Sequence, residues 1–362
     1  MKFGEMAACI RAIVHSVEGN GRMDARRKRA DLTEGGVTGR MNRKGARIVR
    51  LHRVLVAGLL FLTASPSLAA RNARQAESLK NQGNALYMKG NVDGAIELWL
   101  EAIQADSTYS EAYNNLGVAF YEKGEYEQSI ENLRTAVMLN RKYEKAFNSL
   151  GNSYLAVGEY DSAKVYFERS IALKGNVAQK QVNLGNTLYG LGDVDGAVAA
   201  YRKAISIDKG YAPAHNNLGA ALQRKGDRAG AEKSYRQAIT LDKNYASAYT
   251  NFGTLVFDEG RGDLGKAAEY FLRAIELNPA DVQAHYNLGL VHLRNKDTQN
   301  ALASLKKAAE LDPKDPDIQY ALGLVYRERN QAADARKSFE AALGLDPGHE
   351  SAKTALGMLG EK

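Results

Sequence analysis

Asparagines recur at a regular spacing along most of this sequence. Each carboxamide carries two N–H donors and a carbonyl acceptor, so it can pair with both the N–H and the C=O of an extended peptide backbone. Six of them stand about 34 residues, or twice that number, from the next: Asn81, Asn115, Asn183, Asn217, Asn251 and Asn287. Such a column suits the binding of main chain better than it suits catalysis.

Residue types that perform other chemistry do not assemble in this sequence. The only cysteine is Cys9, and the histidines form no HExxH motif and no Cys/His pair. The stretch "GRGDLG" (260–265) fits G-x-G-x-x-G, but no predicted strand precedes it, as a dinucleotide site requires. We therefore predict no catalytic site, no metal site, no cofactor and no small-molecule substrate.

The net charge of +7 belongs to the beginning of the chain. Residues 1–70 carry 13 of the 49 Lys and Arg residues but only 5 of the 42 Asp and Glu residues, a net of +8. The other residues therefore carry a net charge of −1. A charge-balanced body lacks the basic footprint of a nucleic-acid-binding domain, so we predict no nucleic-acid partner.

Residues 41–69 are typical of a secretory signal peptide. A basic stretch precedes the apolar run "VLVAGLLFL" (54–62), and Ser67 and Ala69 hold the small-residue positions before a cut. We predict cleavage after Ala69 and a periplasmic or secreted protein. The alternative is an inner-membrane anchor through residues 54–70, and membrane association is expected only in that case. The apolar run is shorter than the roughly 20 residues that span a bilayer. Residues 1–40 are predicted to be a disordered extension or a misassigned start. The translated chain therefore begins at either Met1 or Met41.

A 34-residue repeat fills the rest of the chain. Position 8 of each unit is glycine, positions 20 and 27 are small, and position 24 is large. The eight units are 76–109, 110–143, 144–177, 178–211, 212–245, 246–281, 282–315 and 316–349, the sixth with a two-residue insertion. We assign residues 70–349 to the repeat domain and 350–362 to a short capping helix.

Each unit predicts two amphipathic helices. Positions 4, 7, 8 and 11 form one apolar stripe, and positions 20, 24 and 27 form another. A glycine near position 15 marks the end of the first helix, as at Gly90 and Gly124. Small residues at positions 8, 20 and 27 let neighbouring helices approach closely.

This pattern resembles the tetratricopeptide repeat (TPR) family over residues 76–349. The resemblance implies an all-α fold: a right-handed superhelical solenoid of about eight helix–turn–helix repeats, with a short C-terminal capping helix. In that family, the side of the first helix turned away from the core lines a concave groove that binds peptides.

The six asparagines all hold position 6 of their units. On a helical wheel this position lies opposite the apolar stripe of the first helix, so we predict that the six side chains line the groove. The column is similar to the asparagine array in the TPR superhelix of O-GlcNAc transferase, without any catalytic domain. That resemblance implies contact with a peptide backbone; the alternative is that asparagine is simply frequent at this position of the repeat.

A second resemblance concerns a terminal carboxylate. Chaperone-binding TPR proteins hold such a group with lysines and asparagines at set positions of three successive repeats. Lys80, Asn84, Asn115 and Lys145 match four of the five positions, and Ser149 stands in the fifth. The match implies a partial clamp for acidic C-terminal peptides.

The predicted groove changes character along the chain. Positions 5 and 9 are mostly polar in the early units but hold Tyr286, Leu290, Tyr320 and Leu324 in the last two. We therefore predict an apolar docking patch at the far end.

Together these features predict an exported, non-enzymatic scaffold or adaptor that binds an extended segment of a partner protein in its groove. A bacterial envelope, secretion or pilus-type assembly is the expected setting. Two alternatives remain: a receptor for acidic C-terminal peptides, and a passive structural spacer.

Overall fold

The computed structural model describes residues 66–258 and 263–360, and this part of the chain contains helices and turns without strands. Seventeen helices follow one another in it. They are α1 (Pro66–Met88), α2 (Val92–Ala105), α3 (Ser110–Glu122), α4 (Tyr126–Leu139), α5 (Glu144–Ala156), α6 (Tyr160–Leu173), α7 (Ala178–Gly190), α8 (Val194–Ile207), α9 (Ala212–Arg224), α10 (Arg228–Leu241), α11 (Ala246–Phe257), α12 (Leu264–Leu277), α13 (Val282–Arg294), α14 (Thr298–Leu311), α15 (Pro316–Glu328), α16 (Ala332–Leu345) and α17 (Glu350–Gly360). The predicted all-α class is confirmed, with two helices in each 34-residue unit.

The first helix of a repeat ends where position 15 takes a left-handed conformation. Gly90 has a φ of 82° and Gly192 a φ of 83°, and the equivalent glycines of three further repeats also have a positive φ. Lys296 and Asn330 hold the same position in the last two repeats, with φ of 61° and 58°. The left-handed residue reverses the chain, so the second helix packs back on the first.

The close approach of the two helices depends on the glycine at position 8. A Cβ on Gly219 would lie 2.6 Å from Cε1 of Tyr235, and one on Gly253 would lie 2.7 Å from Cε1 of Phe271. Both rings hold position 24 and are almost fully buried. Glycine at position 8 thus lets the large residue at position 24 pack directly against the first helix, in agreement with the predicted close approach.

The chain forms two compact units, with the boundary between Ser153 and Tyr154. The first unit contains α1 to α4 and most of α5, and its core includes Trp99, Leu116 and Leu133. The second unit contains the last turn of α5 and α6 to α17. Each unit consists of the same helix pairs, and each is described by itself below.

In the second unit, the connection between α6 and α7 differs from the other repeat junctions. Lys174 stands where the other seven repeats have Asp or Asn, and position 3 of the next repeat is Lys180 where five of its seven equivalents are alanine. Lys180 is buried, and its Nζ donates to the main-chain oxygens of Ser170 (3.3 Å) and Lys174 (2.8 Å). The ammonium group thus satisfies carbonyls at the C-terminal end of α6, where the helix dipole is negative.

The two ends of the chain are described only in part. The predicted extension (1–40) and most of the predicted signal (41–69) lie outside the described residues, as do the first residues of "GRGDLG". Pro66–Ala69 form the start of α1. At the other end, α17 packs Ala355 and Leu359 against Phe339.

Candidate functional site

The first helices of the second unit form a continuous row. Each of α7, α9, α11 and α13 contacts the first helix of the next repeat, whereas consecutive second helices share few contacts. First helices therefore lie closer together than second helices, which places them on the concave side of this unit. We call the surface that they share the inner face.

The asparagine column connects neighbouring first helices. Asn217 Nδ2 donates to Asn186 Oδ1 of the preceding repeat at 2.8 Å. The same oxygen accepts from the hydroxyl of Tyr201, also at 2.8 Å. Tyr201 holds position 24, and burial raises the pKa of its phenol well above the ordinary value, so the hydroxyl remains a donor. One carboxamide oxygen thus joins three helices: α7, α8 and α9.

The first unit repeats this arrangement with different residues. Asn115 Nδ2 donates to Asn84 Oδ1 at 2.8 Å, and Trp99 Nε1 donates to the same oxygen at 3.1 Å. In both units a position-9 asparagine accepts from position 24 of its own repeat and from position 6 of the next. The arrangement is therefore a recurring device for joining repeats.

Where position 9 is not asparagine, the position-6 amide finds another acceptor. Asn287 Nδ2 donates to Thr254 Oγ1 at 2.9 Å. Position 9 of the fifth repeat is Ala220, and there Asn251 Nδ2 donates to Asn216 Oδ1 at 3.0 Å instead. Hydrogen bonds across the repeat junction therefore persist although the acceptor residue varies.

The position-6 carboxamide oxygens also have partners. Gln179 Nε2 donates to Asn183 Oδ1 at 2.8 Å, and Gln283 Nε2 donates to Asn287 Oδ1 at 3.1 Å, each from one turn earlier in the same helix. Tyr211 in turn donates its hydroxyl to Gln179 Oε1. These contacts fix the carboxamide planes on the inner face.

The predicted orientation of position 6 needs correction. Asn183, Asn251 and Asn287 are buried, Asn115 and Asn217 are half-buried, and Asn81 is exposed. A helical wheel treats one helix alone, and it correctly places position 6 away from the apolar stripe of that helix. In the second unit the neighbouring first helix covers this face. Whether a partner contacts these side chains stays a prediction.

Two asparagines on first helices have unsatisfied side-chain atoms. Asn186 Nδ2 in the second unit and Asn114 Oδ1 in the first are buried and have no hydrogen-bond partner within the described chain. A buried amide atom without a partner costs free energy. Because both atoms are buried, that cost falls on the fold, and neither atom is accessible to a partner.

The predicted clamp residues lie in the first unit, among groups of both charges. Lys80 Nζ lies 6.0 Å from the ring centre of Tyr109, and Asn84 and Asn115 are hydrogen-bonded to each other. Lys145 is exposed. Burial first, and then the carboxylates of Glu111, Glu77 and Asp106, raise the pKa of Tyr109. Anionic side chains thus stand close to the ring that Lys80 approaches.

Sequence reasoning missed several members of the network. The sequence analysis does not predict the hydrogen bonds of Tyr201, Thr254, Gln179 and Gln283. The two glutamines carry a recognisable signal, because each stands four residues before a repeated asparagine. The acceptor at position 9 was harder to recognise because its residue type changes from repeat to repeat.

Two further observations limit the chemistry of the described residues. Among them, no His, Cys, Asp and Glu side chains cluster in a way that would hold a metal ion. None of the helices in residues 66–258 and 263–360 is both long and apolar enough to cross a membrane.

Comparison with known proteins identifies the repeat. Models described as tetratricopeptide repeat or TPR repeat match most of the chain, and no curated protein sequence matches significantly. The matched residues are 83–124, 119–158, 144–177, 185–226, 212–245, 258–316 and 292–359.

Two solved structures show the same fold. A chain of the APC/C hetero-tetramer Cut9–Hcn1 is 18% identical with a TM-score of 0.61; the match covers 78% of this chain and 55%, about half, of that one. A tetratricopeptide repeat protein from Parabacteroides merdae is 15% identical with a TM-score of 0.60, over 70% of this chain and 99% of that one. The repeated helix pairs and the matched models together show that this chain belongs to the tetratricopeptide repeat family, a family of protein-interaction scaffolds.

Proposed function

We propose that this protein is an exported, non-enzymatic scaffold that binds an extended segment of a partner protein along its inner face. The observation that carries the proposal is the set of carboxamides fixed across repeat junctions, such as Asn217 on Asn186 and Asn287 on Thr254. Asn217 is only half-buried and carries a second N–H, and rigid groups lose little entropy on binding a peptide backbone.

The setting that we propose is a bacterial envelope, secretion or pilus-type assembly, in the periplasm or outside the cell. Its support is the basic stretch and apolar run of residues 41–69, followed by small residues at 67 and 69. Intact-mass measurement of the protein purified from its native cells checks this. A chain that begins at Ala70 is expected, and a mass that includes residues 54–69 would favour the membrane anchor.

Photo-cross-linking tests the binding surface. A photoreactive residue in place of Gln283 on the inner face is expected to form adducts with a partner protein in intact cells. The same residue in place of Lys233, which lies on a second helix, is the matched control and is expected to form none. Equal adducts at both positions, or none at either, would leave a passive spacer as the better description.

The carboxylate clamp is less well supported as a function of the first unit. Asn115 donates to Asn84, and Glu77 and Glu111 lie near the Tyr109 ring that Lys80 approaches. These negative charges oppose an acidic peptide. Amidating the C-terminus of a bound peptide is therefore expected to leave its affinity unchanged; a loss of tenfold or more would restore the clamp.

A further inference from the structure

The inner face of the second unit changes from polar to apolar at its last two repeats. Positions 5 and 9 of α9 and α11 hold Asn216, Ala220, Thr250 and Thr254. The corresponding positions of α13 and α15, with position 12 of α13, form what we call the apolar strip: Tyr286, Leu290, Leu293, Tyr320 and Leu324.

All five side chains of the apolar strip are half-buried. Tyr286, Leu290 and Leu293 pack against a buried cluster that includes Ile318 and Val325. Leu324 and Tyr320 pack against the cluster around Phe339, with the rings of Tyr320 and Phe339 5.8 Å apart. The core therefore covers one side of each side chain, and the rest stays accessible on adjacent helices.

Carboxylates border the strip at the start of α15. Asp315 Oδ1 caps this helix by accepting from the main-chain N–H of Asp317 at 2.8 Å. Asp317 is exposed, and its Oδ1 lies 3.1 Å from His349 Nε2. Burial first, and then the charges of Asp317 and Asp315, raise the pKa of the Tyr286 phenol. Arginines lie instead in the last turns, at Arg294 on α13 and Arg327 on α15.

We propose that the apolar strip receives a partner segment with an apolar residue at every third position, next to a Lys or Arg that meets Asp315 and Asp317. This inference rests on the proposed scaffold function and names the class of segment that it takes. Packed helices lie about 8–10 Å apart. An extended polyproline-II-like segment advances about 9 Å in three residues, so every third side chain faces the next helix.

A displayed library of random peptides, selected on the full chain, tests the proposal. The peptides retained are expected to carry apolar residues three apart and a basic residue beside them. A selected peptide is expected to bind at least tenfold more weakly to a variant with Leu290→Ser and Leu324→Ser. The matched control exchanges two exposed side chains of second helices, Val165→Ser and Leu272→Ser, and is expected to bind as the wild type does.

A charge reversal at the exposed Asp317 provides a second test, which does not alter the packing of the apolar strip. Asp317→Lys changes an exposed side chain and is expected to shift the selected peptides from basic to acidic residues beside the apolar ones. Selected peptides without the three-residue spacing, or equal binding to the Leu290/Leu324 variant, would overturn the inference. So would a dimer in sedimentation velocity that this variant breaks, because the strip would then bind a second copy of the chain.

The outcomes separate this inference from the proposed function. If the selected peptides lose affinity with Asn217→Ala and Asn251→Ala but not with the Leu290/Leu324 variant, the scaffold function stands and the inference is wrong. If the library yields no binders, both are wrong.

Discussion

Glycine at position 8 decides how closely the two helices of a repeat approach. For Gly219→Ala, the new methyl group would lie 2.6 Å from the buried Tyr235 ring. Overpacking of this kind costs about 1–3 kcal/mol, more than the roughly 0.5–1 kcal/mol that alanine gains over glycine in a helix. We expect the urea midpoint to fall, corresponding to a loss of about 1–2 kcal/mol in the free energy of unfolding.

Gly357 offers a matched control for this substitution. It occupies the equivalent place in α17, where no other described residue lies within 4 Å of the added Cβ. Gly357→Ala is therefore expected to stabilise α17 by about 0.5–1 kcal/mol, measured as slower amide exchange in that helix. Destabilisation by both substitutions would show that the ring contact is not the cause.

The buried Lys180 provides a second prediction for single residues. Lys180→Met keeps the side-chain length but removes the donors to the carbonyls of Ser170 and Lys174. Hydrogen bonds to charged groups contribute about 1.5–3 kcal/mol to stability. The methionine variant loses this contribution, but it also avoids the desolvation cost of a buried charge, which offsets part of the loss. We expect a net loss of about 1–2 kcal/mol in urea unfolding. The exposed Lys203→Met is the control and should change the free energy of unfolding by less than about 0.5 kcal/mol.

Between helices, the carboxamide of Asn186 is the most informative contact. Asn186→Ala would leave the Tyr201 hydroxyl and an amide N–H of Asn217 without their acceptor, at a cost of about 1–3 kcal/mol. Tyr201→Phe alone removes one donor and should cost less. Because both substitutions act on one contact, the double variant should be more stable than the sum of the two losses predicts, by about 0.5–1.5 kcal/mol. Simple additivity in a double-mutant cycle would contradict this description of the junction.

The helix pairs could be predicted from the sequence because each rests on a local signal that recurs. The glycine near position 15 predicts the end of the first helix, and the small residue at position 8 predicts a close approach of the two helices; the structure shows both. The partners of the asparagines could not be predicted in this way. They depend on the neighbouring repeat, which covers Asn251 and Asn287 although both lie off the apolar stripe of their own helix. Lys180 stands at position 3, which is alanine in most repeats, and only the structure shows the main-chain carbonyl to which it donates.

For the whole molecule, charge separates the first 70 residues from the rest. The net charge of +8 lies in residues 1–70, and the remaining residues carry a net charge of −1. Binding to duplex DNA depends on Lys and Arg that displace counterions from phosphates, so its strength falls steeply with salt. We expect the full chain to bind duplex DNA weakly at low salt and to lose this binding at about 150 mM salt. A chain that begins at Ala70 is expected to bind at neither salt concentration in fluorescence anisotropy. Salt-sensitive binding by this shorter chain would reveal a basic surface on the repeats and would argue against a protein segment as the only partner of the inner face.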